Sequence, residues 1–199
     1  MAAGPEVKPT VLEGRFVRLE PLGPHHIAGL AAIGLDEGIW RYMPYGPMQS
    51  EADIRRWVLG ILDMAAHGTD VPYAVVQLSS GRVAGTTRYM DIRPTHRGLE
   101  IGGTWYGADF RRTAVNTECK YLLLGNAFEV LRCIRVQLKT DARNETSQKA
   151  IERLGATREG MLRNHMVLPD GTIRDSVYYS ILDSEWPAIK MRLQALLEQ

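Results

Sequence analysis

The sequence predicts an α+β domain, one sheet with helices packed on both faces. Three observations carry this. Seven segments read as strands, some in a meander and some separated by helical periodicity. The longest helical pattern, 113–131, sits between two strand segments. Pro169-Asp170-Gly171 joins the last two strands as a turn, with Gly free to take positive φ and Asp to bond its own backbone.

In chain order, Arg15 to Glu20 alternates apolar and polar residues and reads as the first strand. Pro24 to Leu35 carries Ile27, Leu30, Ala31 and Ile33 and reads as a short helix. Ser50 to Asp53 resembles a capping box, and Ile54, Trp57, Val58, Ile61, Leu62 and Ala65 come next at helical spacing up to His67-Gly68. Segments 72–78 and 82–92 form a strand, a tight turn at Ser79-Ser80-Gly81 and a strand; another runs from 99 to 106. In the long helix Val115, Cys119, Leu122, Leu123, Ala127, Val130 and Leu131 recur every three to four residues. A strand at 134–140, a helix at 144–154 closed by Gly155, strands at 160–168 and 172–182, and a helix at 185–197 complete the chain. No repeat or low-complexity linker divides the 199 residues, so one domain over 1–199 is expected, with 1–11 as a flexible lead.

Composition narrows the function classes. Hydrophobic residues make up 45 %, charged residues 24 %, and the formal net charge is +1, which gives no reason to expect nucleic acid or an anionic membrane as partner. No apolar stretch approaches the roughly 20 residues of a membrane span, and Met1 to Thr10 has no signal-type core, so a cytoplasmic protein is expected. Cys119 and Cys133 fall in and just beyond the long helix without metal-ligand spacing, and read as reduced core thiols. No metal site is expected.

Glu100 to Thr117 is the informative segment. A strand ends near Tyr106, a short loop leads to Arg111 and Arg112, and a helix starts at once. Free N–H groups at a helix start, with the positive end of its dipole, make an anion site, and arginines add donors suited to phosphate. An ordinary turn with solvated arginines accounts for the same residues.

Across about Leu12 to Trp186 the chain resembles the GNAT superfamily of N-acetyltransferases, and within it the RimJ/RimL-like branch. The markers are Val115-Asn-Thr-Glu-Cys-Lys120, Thr140-Asp-Ala-Arg-Asn-Glu-Thr-Ser147, Ala150-Ile-Glu-Arg-Leu-Gly155, Glu159-Gly-Met-Leu-Arg163, Asp170-Gly171 and Arg174-Asp175. The resemblance implies a three-layer fold around a mostly antiparallel seven-stranded sheet, and acetyl transfer from acetyl-CoA to a primary amine by direct attack in a ternary complex. It implies that the fourth and fifth strands part to admit the pantetheine arm. Arg111, Arg112, Thr113, Ala114, Val115 and Asn116 would hold the pyrophosphate; Trp105 and Tyr106 would offer backbone groups to the acetyl carbonyl and pantetheine; Asn144, Ser147 and Lys149 would contact CoA. Ala114 and Asn116 stand where the family has small residues, a departure that admits a second reading: a CoA-binding regulatory protein with little turnover.

Within the resemblance, Glu100 corresponds to a glutamate that serves as base in some members; a strand-end carboxylate paired with Arg88 or Arg97 is the alternative. His165 is the runner-up base. The tyrosine that many members use to protonate the thiolate is Ile151 here, and Ser147 takes that part by the RimL-like pattern. Trp40, Tyr42 and Tyr45 lie in the region that borders the acceptor pocket, for a peptide or small-molecule amine, or else brace a Pro-rich loop. Base rates favour a homodimer.

Overall fold

The computed structural model describes residues 6–198. β1 (Leu12–Glu13) and β2 (Val17–Pro21) precede α1 (Ile27–Gly34), α2 (Glu37–Trp40) and α3 (Glu51–Ala66). β3 (Val71–Gln77), β4 (Val83–Arg93) and β5 (Gly98–Tyr106) form a meander. Then come α4 (Ala114–Gly125), β6 (Arg135–Asp141), α5 (Glu145–Leu154), β7 (Thr157–Val167), β8 (Ile173–Leu182) and α6 (Trp186–Leu197). The strands make one eight-stranded sheet in the order β1-β2-β3-β4-β5-β6-β8-β7. Every neighbour is antiparallel except β5 with β6.

The sheet has one strand more than the seven expected. The addition is β1, whose two residues pair with Leu19 and Arg18 of β2 and are too few to show a period. Of the lead expected over 1–11, residues 1–5 lie outside the described residues, and Val7 packs against the main core. The expected helix over 113–131 ends as α-helix at Gly125 and continues as a wider π-type turn over Asn126–Val130. There the Tyr89 hydroxyl donates to the Leu123 carbonyl at 2.6 Å, the kind of insertion that widens a helical turn.

Local chemistry sets the helix ends. Ser50 Oγ accepts the Asp53 N–H as cap of α3, and Thr113 Oγ1 accepts the Val115 N–H as cap of α4. Gly155 closes α5 with φ +102°, a conformation that suits glycine. α4, α5 and α6 cover one face of the sheet, burying Cys119, Leu123, Leu154 and Leu193 against Tyr73, Tyr89, Leu99 and Val136. α1 and α3 cover the other, burying Leu30, Ile54 and Val58 against Ala74 and Trp105. Both cysteines are free and buried, and burial pushes Cys119 up to about 12 and Cys133 up to about 11, so neither is a nucleophile near neutral pH. No helix among the described residues is long and apolar enough to cross a membrane.

One buried carboxylate ties the first full strand to the main helix. Glu118 of α4 accepts the N–H groups of Arg15 at 2.7 Å, Phe16 at 2.6 Å and Val17 at 2.7 Å. Glu118→Ala would leave those donors without an acceptor. It is expected to lower unfolding free energy by about 3 kcal/mol, given the cost of orphaned buried donors, with faster amide exchange at Arg15 to Val17. Glu118→Gln, which keeps one acceptor oxygen, is expected to fall between. Urea denaturation of the two variants checks this.

Candidate active site

β5 and β6 pair at only three positions, Gly98↔Arg135, Leu99↔Val136 and Glu100↔Gln137. Beyond them β5 pairs with β4 alone and β6 with β8 alone. The sheet therefore forks between the second halves of the two strands. A β-bulge accompanies the fork. Thr86 faces Trp105 and Arg88 faces Gly102, so Gly103 and Thr104 together oppose Thr87. Gly103 holds φ +57°, and a side chain there would begin 2.7 Å from Arg88 Nε. The extra residue reverses the facing of the rest of β5: Trp105 packs under α1 and α3, and Tyr106 joins the core under α4.

Glu100 stands at the root of the fork, 1 % exposed. Its Oε2 accepts from Gln137 Nε2 at 2.8 Å and Lys139 Nζ at 2.9 Å. Oε1 takes no hydrogen bond among the described residues and faces Gly102, where an added side-chain carbon would lie 3.0 Å away. The pairing with Arg88 or Arg97 considered from the sequence is corrected. Arg88 makes an ionic contact with Asp70 at 3.1 Å and a hydrogen bond to the Tyr45 hydroxyl, while Arg97 Nε donates to the Arg132 carbonyl.

His165 lies farther out, on β7. Its ring nitrogens contact Ser176 Oγ at 2.9 Å and the Tyr178 hydroxyl at 3.2 Å. Tyr178 pairs across the ladder with Lys139, whose ammonium sits 5.9 Å from the Tyr178 ring centroid. A polar strip thus runs from Glu100 through Lys139 and Tyr178 to His165, across β5, β6, β8 and β7. Burial, then the charges of Lys139 and Arg174, hold His165 below the usual imidazole range, while Glu100 opposes them.

In the loop from β5 to α4 the residues expected at an anion site have separate structural tasks. Arg111 donates Nη2 to Asp36 at 2.9 Å and Nε to the Tyr106 carbonyl at 3.0 Å, so its guanidinium braces the loop against the start of α2. Arg112 is exposed and holds φ +60°, a conformation costing a side-chain-bearing residue about 1 kcal/mol. Thr113 caps α4, Ala114 is half-buried, Val115 points into the core, and Asn116 is half-buried one turn along. Ala114 begins the helix, so its N–H has no intrahelical acceptor.

On the other side of the fork, Asn144 caps α5, its Oδ1 accepting the Ser147 N–H at 3.0 Å. That leaves the amide Nδ2 as a donor, and the half-buried Ser147 hydroxyl has no partner among the described residues. Lys149 is exposed and lies 3.6 Å from Glu145 on the same helix face, a solvated pair.

Of the three aromatic residues expected at the acceptor pocket, Trp40 is a core residue, 3 % exposed, with its indole N–H donated to the Gly34 carbonyl at 2.7 Å. It forms a floor with Trp57 and Trp105, ring centroids 5.3–5.9 Å apart. Tyr45 is half-buried against Trp40 and Trp57, and Tyr42 is half-buried nearby in the chain. The Tyr45 hydroxyl meets Arg88, and the Tyr42 carbonyl accepts Arg174 Nη1 at 3.0 Å. Sequence reasoning missed Gln137, Lys139, Asp70 and Tyr178, and named Arg88 only as a possible partner of Glu100 and Arg174 only as a marker of the resemblance. The signal for the first two was present: Gln137, Lys139 and Asp141 alternate with Val136, Leu138 and Thr140, an odd pattern for a strand covered on both faces. Glu20, His25 and His26 also come together, their ligand atoms within 4.8 Å, but at the far end of the sheet order from the fork, and His26 Nδ1 accepts the Gly23 N–H.

The walls of the fork carry unpaired backbone edges, the start of α4 on one side has N–H groups without intrahelical acceptors, and the Asn144 amide stands on the other side. Residues 17–157 match a family model described as Acetyltransferase (GNAT) domain. YdaF of Bacillus subtilis (strain 168), whose name carries a provisional assignment as a ribosomal N-acetyltransferase, is 32 % identical over 113 residues, covering 57 % of this chain and 61 % of YdaF. The crystal structure of a GCN5-related N-acetyltransferase from Brucella melitensis is 34 % identical with a TM-score of 0.91, over 99 % of this chain and 89 % of that one. Mycobacterium smegmatis RimJ, solved in complex with CoA-disulfide, shares the fold at a TM-score of 0.78 and 20 % identity, over 94 % of this chain and 95 % of that one.

The polar strip is testable without a substrate. A histidine whose pKa is lowered in the folded protein favours the neutral form there. His165 therefore contributes stability that is fully present above the unfolded pKa near 6.5 and is lost as pH falls below that value and through the lower folded-state pKa. NMR titration is expected to place its midpoint below pH 6.5. Lys139→Met is expected to raise the midpoint and Glu100→Gln to lower it; shifts of the opposite sign would contradict the strip.

Proposed function

The chain belongs to the GNAT acetyltransferase family, and from that premise we propose that it is an enzyme moving the acetyl group of acetyl-CoA to a primary amine, with both substrates held together. The observation that carries the reading is the fork, with Glu100 at its root and an anion site at its mouth. RimJ, which shares this fold, was solved in complex with CoA-disulfide, which supports CoA as the ligand class.

When bound, acetyl-CoA supplies an acyl group activated as a thioester. Around it the chain's own groups have separate tasks. Arg112 and the backbone of Thr113, Ala114, Val115 and Asn116 receive the pyrophosphate, and Arg111 keeps that loop in place through Asp36. Lys149 adds a cation near the nucleotide once it leaves Glu145. The Asn144 amide and the backbone of Trp105 and Tyr106 hold the pantetheine and the acetyl carbonyl. Capping by Thr113 gives α4 a regular start despite Ala114 and Asn116, so the altered loop does not favour the turnover-free alternative.

Glu100 takes the proton of the incoming ammonium on Oε1, while Gln137 and Lys139 hold Oε2 and fix the carboxylate's orientation. The Ser147 hydroxyl relays to the departing thiolate the second proton, which the amine nitrogen gives up as it becomes an amide, and so ends the cycle protonated. The acceptor enters from the α1–α3 face, past Tyr42 and Tyr45, over a floor to which Trp40 contributes. YdaF's name points to a ribosomal protein, which makes a peptide N-terminus the first acceptor class to screen, ahead of small-molecule amines.

Glu100→Gln is expected to lower turnover by about 10²–10⁴-fold, the usual contribution of a positioned base, with CoA affinity by titration calorimetry little changed. Ser147→Ala is expected to lower turnover less. Full activity in both variants would remove the residue assignments.

A further inference from the structure

Lys120 projects from α4 onto the wall of the fork. Its Nζ donates to Thr104 Oγ1 at 2.7 Å, and Thr104 belongs to the half of β5 that has left β6. The side chain is 6 % exposed. The threonine hydroxyl it meets is already shared with Thr87 Oγ1 at 2.8 Å. No carboxylate pairs with this ammonium among the described residues; the adjoining Glu118 is committed to the backbone of Arg15, Phe16 and Val17. An ammonium has three N–H bonds to place, and here one is placed. Burial without a counter-charge is unfavourable enough that a methionine would fill the same space at lower cost. The same burial pulls the Lys120 pKa down to about 8.

We propose that Lys120 is a binding residue for the pantetheine arm of CoA, donating to one of its amide carbonyls against the second half of β5. The proposal rests on the acetyl-CoA reading above. Position separates pantetheine from phosphate as the ligand chemistry. The pyrophosphate belongs at the first turn of α4, at Thr113 and Ala114, whereas the Lys120 ammonium is held on Thr104, within β5. A carbonyl also suits the balance of groups there, where ammonium N–H donors stand unused.

The test compares wild type with Lys120→Met by titration calorimetry, using CoA and adenosine 3′,5′-bisphosphate, the latter a probe of the nucleotide half alone. The variant is expected to bind CoA about ten- to a hundredfold more weakly, the range for a hydrogen bond from a charged donor. Its affinity for the bisphosphate and its thermal midpoint are expected to be no lower than the wild type's. A second measurement needs no variant. At a pH just above 8, Lys120 is partly neutral when free and recharged when a carbonyl accepts from it. CoA binding by the wild type is then expected to take up protons, seen as a dependence of the binding heat on buffer ionisation. Cys119 and Tyr106, the titratable groups packed nearby, are both raised by burial and stay protonated at that pH. Unchanged CoA affinity in Lys120→Met, equal loss for both probes with a lowered midpoint, or no proton uptake by the wild type would each overturn the proposal. Failure of the wild type to bind either probe would overturn the acetyl-CoA reading itself.

Discussion

Beyond Glu100 and Gln137 the backbones of β5 and β6 each lose a hydrogen-bonding neighbour, and unpaired backbone groups inside a fold are rare because they are costly. The chain accepts that cost at one place and arranges the rest around it. The bulge at Gly103 and Thr104 turns β5 as it leaves β6 and sends Trp105 and Tyr106 to opposite faces. The same departure brings the chain over the top of the sheet, so that α4 begins beside the fork with Arg111 tied back to Asp36. Antiparallel pairing on both outer sides, β4 with β5 and β6 with β8, keeps the two arms rigid while the gap stays open.

Charge inside the fork is arranged asymmetrically. Glu100 has one oxygen fully engaged by Gln137 and Lys139 and one turned toward Gly102. Both oxygens sit where solvent is scarce, so the orientation of the carboxylate is set by the strand that lies across the pairing from it. On the α4 side, Lys120 is a cation without an anionic partner among the described residues, held by a single threonine hydroxyl. Glu100 on β5 at the root of the fork and the Lys120 donors on Thr104, farther along the same strand, match a ligand whose reacting end and carbonyl-bearing arm lie at different points along the gap.

Much of this was legible in the sequence. Periodicity located α3, α4 and α5, and the turn chemistry of Pro169-Asp170-Gly171 located the β7–β8 hairpin. Glu100 and the Asn144 cap were marked by spacing within the family resemblance, and the structure sets both beside the fork. The parting itself left no local signal, because it depends on a parallel pairing between segments with an intervening helix. Trp40 and Arg111 were legible as residue types but not as roles: Trp40 closes a core on Gly34, and the guanidinium of Arg111 is taken by Asp36, a contact made across 75 positions. Glu118 and Lys120 are close members of one marker run and have unrelated tasks, which only burial and partners reveal.

The central claim is that the gap between β5 and β6 is a preformed slot that CoA fills. Residue-resolved amide hydrogen exchange of the whole protein, with and without saturating CoA, tests it most directly. Fast exchange at the β5 amides beyond Glu100 that do not bond β4, slowed by CoA while Leu99 and Tyr89 stay unchanged, is the result this account predicts. Amides in that segment that are already protected without CoA, or indifferent to it, would contradict it.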